Sequence, residues 1–187
     1  MAQIATNEFR AGIKVEVDSQ PYIIVSNEFV KPGKAQPFNR VRMKNLVTGR
    51  VIERTYKSGD KIDLADIVEA DMRLLYREPD GAVFMDDNSF EQIKIHSDHL
   101  SGVAKWLKED LVYEIIFYKG APITVEPPTF LELVITDTTS GARGDTSGRV
   151  MKAATVETGA TVQIPIFVDQ GEKIRVDTRT GEYVSRV

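Results

Sequence analysis

The feature that most constrains the fold is an alternation of apolar and basic side chains at residues 40–44. Val41 and Met43 are the apolar members. The basic members are Arg40, Arg42 and Lys44. Successive side chains of a β-strand point to opposite faces, so this segment predicts a strand with one face on a core and a cationic stripe on the other. The preceding segment 23–30 is rich in β-branched and aromatic residues, so the two segments together predict a β-hairpin.

The predicted hairpin loop carries a lysine between two prolines. Its residues are Lys31, Pro32, Gly33, Lys34, Ala35, Gln36 and Pro37. Pro32 fixes its own φ and has no N–H to donate, so a regular ladder should not continue through the loop. Gly33 allows a positive φ, as a tight turn in the loop would require. We therefore expect Lys34 at the end of a stiff loop, where it would be displayed to a partner. The alternative is an ordinary solvated surface lysine with no particular role.

The charge of the chain is unevenly distributed. The 187 residues carry a net charge of −4, yet residues 1–64 carry +4, residues 65–128 carry −7 and residues 129–187 carry −1. A basic end of this kind favours contact with nucleic acid, although chance patchiness is an alternative. The chain has no cysteine, which excludes disulfides, thiolate catalysis and cysteine-based zinc sites.

The turn signals divide the chain into three small β units, predicted at 1–64, 65–128 and 129–187. The first is expected to be an SH3-like barrel, and the other two to be OB-type barrels. Besides the hairpin, strands are expected at 4–9, 14–17 and 51–56 in the first unit, at 82–85, 111–118 and 123–125 in the second, and at 130–136, 161–168, 173–177 and 183–184 in the third. Pro127 and Pro128 mark the second boundary, because neither residue can donate to a β-ladder. Leu100, Val103, Ala104 and Leu107 fall at helical spacing, so one helix is predicted over residues 98–109, with Ser97 as its N-cap.

Signals for catalysis, metal binding and membrane insertion are weak. His96 and His99 are the only histidines, and no third ligand is evident beside them. The chain lacks a Gly-x-Ser-x-Gly elbow, a phosphate-binding loop and a His-Glu-x-x-His motif. No apolar run approaches the roughly 20 residues of a membrane span, and no secretory signal is visible. We therefore expect a cytoplasmic protein that is not an enzyme, holds no metal and does not enter a membrane.

Several motifs resemble one known family. The resemblance is to bacterial translation elongation factor P, and it covers essentially the whole chain. It rests on Lys31-Pro32-Gly33-Lys34 followed by Phe38, on segments 44–49, 90–92, 104–107, 127–130 and 144–146, and on the ending Val176 to Val187.

That resemblance implies three β-barrel domains in an L-shaped arrangement of transfer-RNA-like size. An SH3-like, KOW-type N-terminal barrel would be followed by two OB-fold barrels. It also implies a monomer that binds the ribosome between the peptidyl and exit sites and relieves stalling at consecutive prolines. No cofactor is implied other than a covalent extension of a lysine.

The same resemblance assigns roles to particular residues. Lys34 matches the functional lysine, which in many members carries a β-lysyl or other extension added by a modifying enzyme, and which would reach the CCA end of the peptidyl-tRNA. Arg40, Arg42 and Lys44 would contact tRNA or rRNA. Gly144, Asp145 and Thr146 match the loop that lies near the exit-site codon.

One departure leaves the tip chemistry open. Many members have glycine after the tip lysine, whereas this chain has Ala35, and Pro37 follows soon after. Both residues should stiffen the loop, so the type of modification, or its absence, is not determined by the sequence. A paralogue with different tip chemistry and a general RNA-binding or single-strand-binding OB protein remain alternatives. The −7 middle unit argues against the latter.

Overall fold

The computed structural model describes residues 2–139 and 150–187, which form three antiparallel sheets with very little helix. The first sheet has the order β1-β6-β2-β3-β4-β5. Its strands are β1 (Gln3–Ala5), β2 (Lys14–Val17), β3 (Gln20–Val30), β4 (Phe38–Asn45), β5 (Val51–Lys57) and β6 (Lys61–Leu64). The expected all-β fold of small barrel domains is therefore confirmed.

The other two sheets have five strands each. The second has the order β11-β10-β7-β8-β9, and the third has the order β14-β13-β12-β15-β16. The second contains β7 (Ile67–Glu78), β8 (Gly81–Met85), β9 (Gln92–His96), β10 (Val112–Tyr118) and β11 (Ala121–Glu126). The third contains β12 (Phe130–Thr138), β13 (Met151–Val156), β14 (Thr161–Pro165), β15 (Lys173–Asp177) and β16 (Glu182–Arg186). In the third sheet the two outer strands, β14 and β16, also lie close to each other.

Two compact units partition the chain. One unit contains the residues up to Ala70 together with Ile115–Thr124, and the other contains Asp71–Glu114 and the residues from Val125 onward. The domain limits at residues 64 and 128 stay a prediction.

The alternation at residues 40–44 has the predicted result. Val41 and Met43 are fully buried in the core of the first sheet, while the three basic side chains between and beside them are exposed. Their core neighbours are Ile4, Phe9, Val15, Val17, Tyr22, Ile24 and Ile62.

The predicted helix over residues 98–109 is wrong. The segment instead contains two short 3-10 helices, Ser97–His99 and Ala104–Trp106. Gly102 lies between them and disfavours a continuous helix by about 1 kcal/mol relative to alanine. The apolar spacing reflects burial of Leu100, Val103 and Leu107 by successive turns rather than one helical face.

The cap of the 3-10 helix Ser97–His99 differs from the predicted one, and the role of Tyr113 in the nearby core was not predicted. His96, not Ser97, caps the first 3-10 helix, since its Nδ1 accepts a hydrogen bond from the Asp98 N–H. The core beside the second 3-10 helix is organised by Tyr113, whose hydroxyl donates to the Trp106 carbonyl at 2.8 Å. The Tyr113 ring packs edge to face on Phe84 at 5.8 Å. This packing accounts for the burial of both rings.

Strand boundaries account for the remaining differences. The strand expected from Ile4 to Phe9 ends at Ala5 and continues as a 3-10 helix over Thr6–Glu8. The strand expected from Thr161 to Val168 ends at Pro165. Strands β6, β9 and β13 were not predicted, because each lacks a long alternating pattern. No helix in the described part of the chain is long and apolar enough to cross a membrane.

Candidate functional site

The tip loop extends between two paired strands, as the sequence predicts. The last pair of the β3–β4 ladder is Val30 with Phe38, and residues 31–37 lie outside the ladder. Lys34 is exposed at the end of this loop. Among the described residues, none forms a hydrogen bond or an ion pair with the Lys34 or Lys31 side chain. Both ammonium groups are therefore available to a binding partner.

The loop is attached to the barrel on one side and is open on the other. The Pro37 carbonyl accepts a hydrogen bond from the Ser58 N–H at 3.1 Å, and both prolines are only half-exposed. Gly33 does not use the positive φ that a glycine allows. A Cβ added at Gly33 would meet no atom within 4 Å, so its conformation and surroundings do not require glycine.

We use the term arm for residues 26–42, which comprise the outer parts of β3 and β4 and the tip loop. One face of the arm carries Arg40 and Arg42, and Lys44 continues the line toward the barrel. Arg42 and Lys44 have no ion-pair partner in the described parts of the chain. The cationic stripe predicted from the sequence is therefore present, with two of its members free.

Arg40 differs from the other two basic residues because it lies between two carboxylates. Its Nη1 is 3.5 Å from Glu28 Oε2, and its Nε is 3.7 Å from Glu53 Oε1. Glu28 lies directly opposite Arg40 on β3, and Glu53 lies opposite Arg42 on β5. All three side chains are substantially exposed, so the pairs are weak. They nevertheless reduce the positive charge at the middle of the stripe.

A bulge in β3 determines which residues face the core within the arm. The register shifts between Ile24 and Ser26, so that Val25 is left over and exposed. Beyond the bulge, Asn27 pairs with Val41 and therefore lies on the core side of the sheet. Simple alternation from Ile24 would have placed Asn27 on the outer side.

Two asparagines on this inner side form a hydrogen-bond relay. Asn39 Nδ2 donates to Asn27 Oδ1 at 2.9 Å, and Asn27 Nδ2 donates to the Phe9 carbonyl at 3.0 Å. Asn39 is only 4% exposed. The relay joins both strands of the arm to Phe9, which directly follows the 3-10 helix Thr6–Glu8. Sequence reasoning did not identify either asparagine, because their proximity depends on the bulge.

A second buried asparagine organises the opposite end of β4. Asn45 is 2% exposed, and its Oδ1 accepts from the backbone N–H groups of Val47 and Thr48, both at 2.8 Å. Its amide donates to Gln20 Oε1 at 2.7 Å. The turn then closes at Gly49, which has a φ of +73° that favours glycine.

The first unit also contains a partly buried carboxylate with two partners. The Tyr118 hydroxyl donates to Glu16 Oε2 at 2.6 Å, and Lys119 Nζ donates to Glu16 Oε1 at 3.2 Å. The Tyr118 hydrogen bond, followed by that of Lys119, holds the pKa of the Glu16 carboxyl below its ordinary value of 4.5. This contact attaches the β10–β11 turn to strand β2.

The pair of histidines was the candidate metal site in the sequence. His96 and His99 are both exposed, and His96 Nδ1 lies 3.1 Å from Asp98 Oδ2. Residues 2–139 and 150–187 contain no cluster of three or more histidine, cysteine, aspartate or glutamate side chains that could hold a metal ion. Gly144, Asp145 and Thr146 lie outside the described residues.

Family models match all three parts of the chain. The "Elongation factor P (EF-P) KOW-like domain" matches residues 5–62, the "Elongation factor P (EF-P) OB domain" matches residues 67–125, and "Elongation factor P, C-terminal" matches residues 131–186. Together these models cover most of the sequence in the expected order.

Individual proteins give the same result. The chain is 65% identical to "Elongation factor P 2" of Protochlamydia amoebophila (strain UWE25) and 55% identical to "Elongation factor P 2" of Chlamydia pneumoniae. Both comparisons cover 100% of this chain and 99% of the relative.

Among solved structures, "Eukaryotic translation initiation factor 5A from Methanococcus jannaschii" is similar in fold. Its TM-score is 0.55 at 20% identity, and the match covers 67% of this chain and 92% of that one. "Translation initiation factor eif-5a family protein from Naegleria fowleri ATCC 30863" also gives a TM-score of 0.55, at 10% identity, over 66% of this chain and 94% of that one. From its sequence and its domain order, the chain belongs to the elongation factor P family.

Proposed function

We propose that this chain binds the ribosome between the peptidyl and exit sites and stimulates peptide-bond formation at consecutive prolines. The observation that carries the proposal is Lys34, which is exposed and has no partner among the described residues, at the end of an arm attached to the barrel. The family of the chain supports a role in translation elongation. In this proposal Lys34 lies near the CCA end of the peptidyl-tRNA.

The proposed mechanism is one of position rather than of chemistry. In this proposal no residue of the chain needs to donate or accept a proton, so the protein would act as a binding factor rather than as an enzyme. Holding the peptidyl-tRNA end in an attack-ready geometry lowers the entropic part of the barrier to reaction. A tenfold increase in rate requires only about 1.4 kcal/mol, which a few restrained contacts at the tip would supply.

The cationic stripe supplies the electrostatic part of binding. Arg42 and Lys44 are available for phosphates of tRNA or rRNA, while Arg40 is shared with two carboxylates. Residues 144–146 would lie near the exit-site codon, as the family resemblance implies. The protein would act as a cytoplasmic monomer whose partners are the ribosome, its rRNA and the peptidyl-tRNA.

The tip chemistry has two forms that the chain could use. Lys34 would act with a β-lysyl or other extension added by a modifying enzyme, or it would act bare. Two features favour the bare form: Ala35 follows the tip lysine, and the Pro37 carbonyl is bound to the barrel. Both features restrict the loop before it binds and so lower the entropy lost on ordering.

Directed cleavage of RNA tests the proposed location. The chain has no cysteine, so Ala35→Cys provides a single site for a tethered iron chelate. With peptidyl-tRNA bound to the ribosome, hydroxyl radicals from this site are expected to cut the CCA end. An iron chelate at Asp80→Cys, in the exposed β7–β8 turn of the middle domain, serves as the control. Cleavage confined to other RNA segments would contradict the proposed placement of the tip.

A further inference from the structure

The relay of Asn39, Asn27 and the Phe9 carbonyl occupies a position where apolar residues would be expected. Asn39 lies on the same inner face of β4 as Val41 and Met43, and it is as well buried as the core residues around it. Burying an amide is unfavourable unless its hydrogen bonds are made in the fold. Both donations of the relay have good geometry, at 2.9 and 3.0 Å. Such a network specifies one arrangement of its backbone attachments more strongly than apolar contact does.

The relay lies at the base of the tip loop. Asn39 directly follows Phe38, which is the first residue of β4 and belongs to the β3–β4 pair nearest the tip loop. On the other edge of β4, Asn39 lies opposite Tyr56, whose ring packs edge to face on Phe9 at 5.5 Å. The Phe9 residue therefore receives a hydrogen bond from one strand of the arm and a ring contact from β5. These contacts connect the arm to the N-terminal segment rather than only to the neighbouring strands.

Apolar packing does little to fix the arm at this point. An open concavity of about 290 Å³ lies beside the relay, and its lining includes Thr6, Asn7, Asn27, Phe29, Asn39 and Ser58. The Phe29 side chain, which also lines the concavity, is 59% exposed. Five of these six residues are polar, so hydrogen bonds across the concavity and the Ser58–Pro37 backbone bond act together with the β4–β5 ladder, which extends to the pair Phe38 and Lys57, to hold the arm.

We propose that Asn27 and Asn39 are positioning residues, whose relay to the Phe9 carbonyl holds the arm at one angle and so sets where Lys34 points. This inference rests on the proposed function for its consequence, since a misdirected tip would bind the ribosome but would not order the peptidyl-tRNA end. Its structural part concerns the free protein and is independent of that function.

Distance measurement in the free protein tests the structural part. Because the chain has no cysteine, Ala35→Cys and Lys61→Cys provide two exposed sites for spin labels, one at the tip and one on β6. Electron double resonance then gives the distribution of distances between them. Asn39→Leu is expected to widen or shift this distribution, because it removes the relay while retaining a side chain of similar size.

A matched substitution at the far end of the same strand separates positioning from general stability. Asn45 is also buried on the inner face of β4, and Asn45→Leu removes the three hydrogen bonds of its side chain. We expect Asn45→Leu to reduce the Tm at least as much as Asn39→Leu does, yet to leave the tip distances unchanged. Asn27→Ala, at a half-exposed position, provides a milder variant of the relay if Asn39→Leu folds poorly.

Translation kinetics without labels test the consequence. Asn39→Leu is expected to slow peptide-bond formation at consecutive prolines about tenfold or more while ribosome affinity is retained, because small misplacements of a positioning group cost rate rather than binding. Unchanged distances in both Asn39→Leu and Asn27→Ala, or an equal change in Asn45→Leu, would overturn the inference. A wild-type protein that does not stimulate the reaction would instead refute the proposed function, and the distance result would stand separately.

Discussion

Removing the two carboxylates beside Arg40 should strengthen ribosome binding. Glu28→Gln with Glu53→Gln leaves the shape of this face almost unchanged but removes both ion-pair partners of Arg40, which lie at 3.5 and 3.7 Å. The Arg40 guanidinium then becomes available to a phosphate, and two negative charges that would repel RNA are gone. A gain of affinity is informative because misfolding does not produce one.

The expected magnitude follows from the exposure of the groups. The side chains of Arg40, Glu28 and Glu53 are 47%, 66% and 55% exposed, so each pair stabilises the fold by no more than about 0.2–1 kcal/mol. The fold should therefore tolerate the double substitution. One additional phosphate contact should steepen the slope of log affinity against log salt by about 0.7–0.9.

Ribosome binding at a series of potassium chloride concentrations provides the assay. Asp80→Asn is the control, because it removes a negative charge from another exposed ion pair, with Lys94 at 2.9 Å, outside the arm. We expect the control to leave the salt slope unchanged. An unchanged or shallower slope in the double variant would show that this face of the arm does not meet RNA.

Three further substitutions have defined outcomes. Protein made in a host without a lysine-modifying enzyme, with its unmodified mass confirmed, should still relieve stalling, and an inactive unmodified protein would contradict this expectation. In the unmodified protein, Pro37→Gly should lower the relief of stalling more than it lowers the affinity for the ribosome. The hydrogen bonds from Tyr118 and, to a smaller extent, Lys119 lower the pKa of the Glu16 carboxyl. These two hydrogen bonds therefore stabilise the fold above pH 4.5, and that stabilisation is lost as the pH falls below 4.5 and the carboxylate is protonated. The difference in unfolding free energy between wild type and Glu16→Gln, measured in urea, should accordingly shrink below pH 4.5, and a constant difference would refute the assignment. Gly81→Ala should destabilise the second unit by several kcal/mol, since an added Cβ would overlap the Ile95 carbonyl, and an unchanged urea midpoint would show that this backbone approach relaxes easily.

Local patterns predicted the parts of the fold that depend on neighbouring residues. The alternation at residues 40–44 correctly placed Val41 and Met43 in the core, and Pro32 and Pro37 correctly placed the end of the ladder. These outcomes follow from backbone geometry alone, since side chains of a strand alternate and proline cannot donate. The same patterns predicted the exposed position of Lys34.

Features that depend on strand register were not predictable in this way. A single bulged residue, Val25, reverses the inner and outer faces of the arm and so brings Asn27 beside Asn39. The carboxylates beside Arg40 come from two other strands, so the reduced charge of the stripe depends on long-range pairing. In these cases tertiary context determines what each side chain contacts.

The predicted helix over residues 98–109 shows a different limit. Its apolar spacing fits helical periodicity, but the segment is short and contains Gly102, so its buried side chains are accommodated by two 3-10 turns. Periodicity identified Leu100, Val103 and Leu107 as buried, but it did not identify the buried Trp106 or the backbone conformation of the segment.

The most direct measurement concerns Lys34 itself. Lys34 is exposed and has no partner in the described part of the chain, so Lys34→Ala should change the free energy of unfolding by less than about 0.5 kcal/mol. In a reconstituted translation system with a consecutive-proline reporter, wild-type protein should relieve the stall, and Lys34→Ala should bind the ribosome but fail to relieve it. Full relief of stalling by Lys34→Ala would contradict the claim that the tip lysine carries the function.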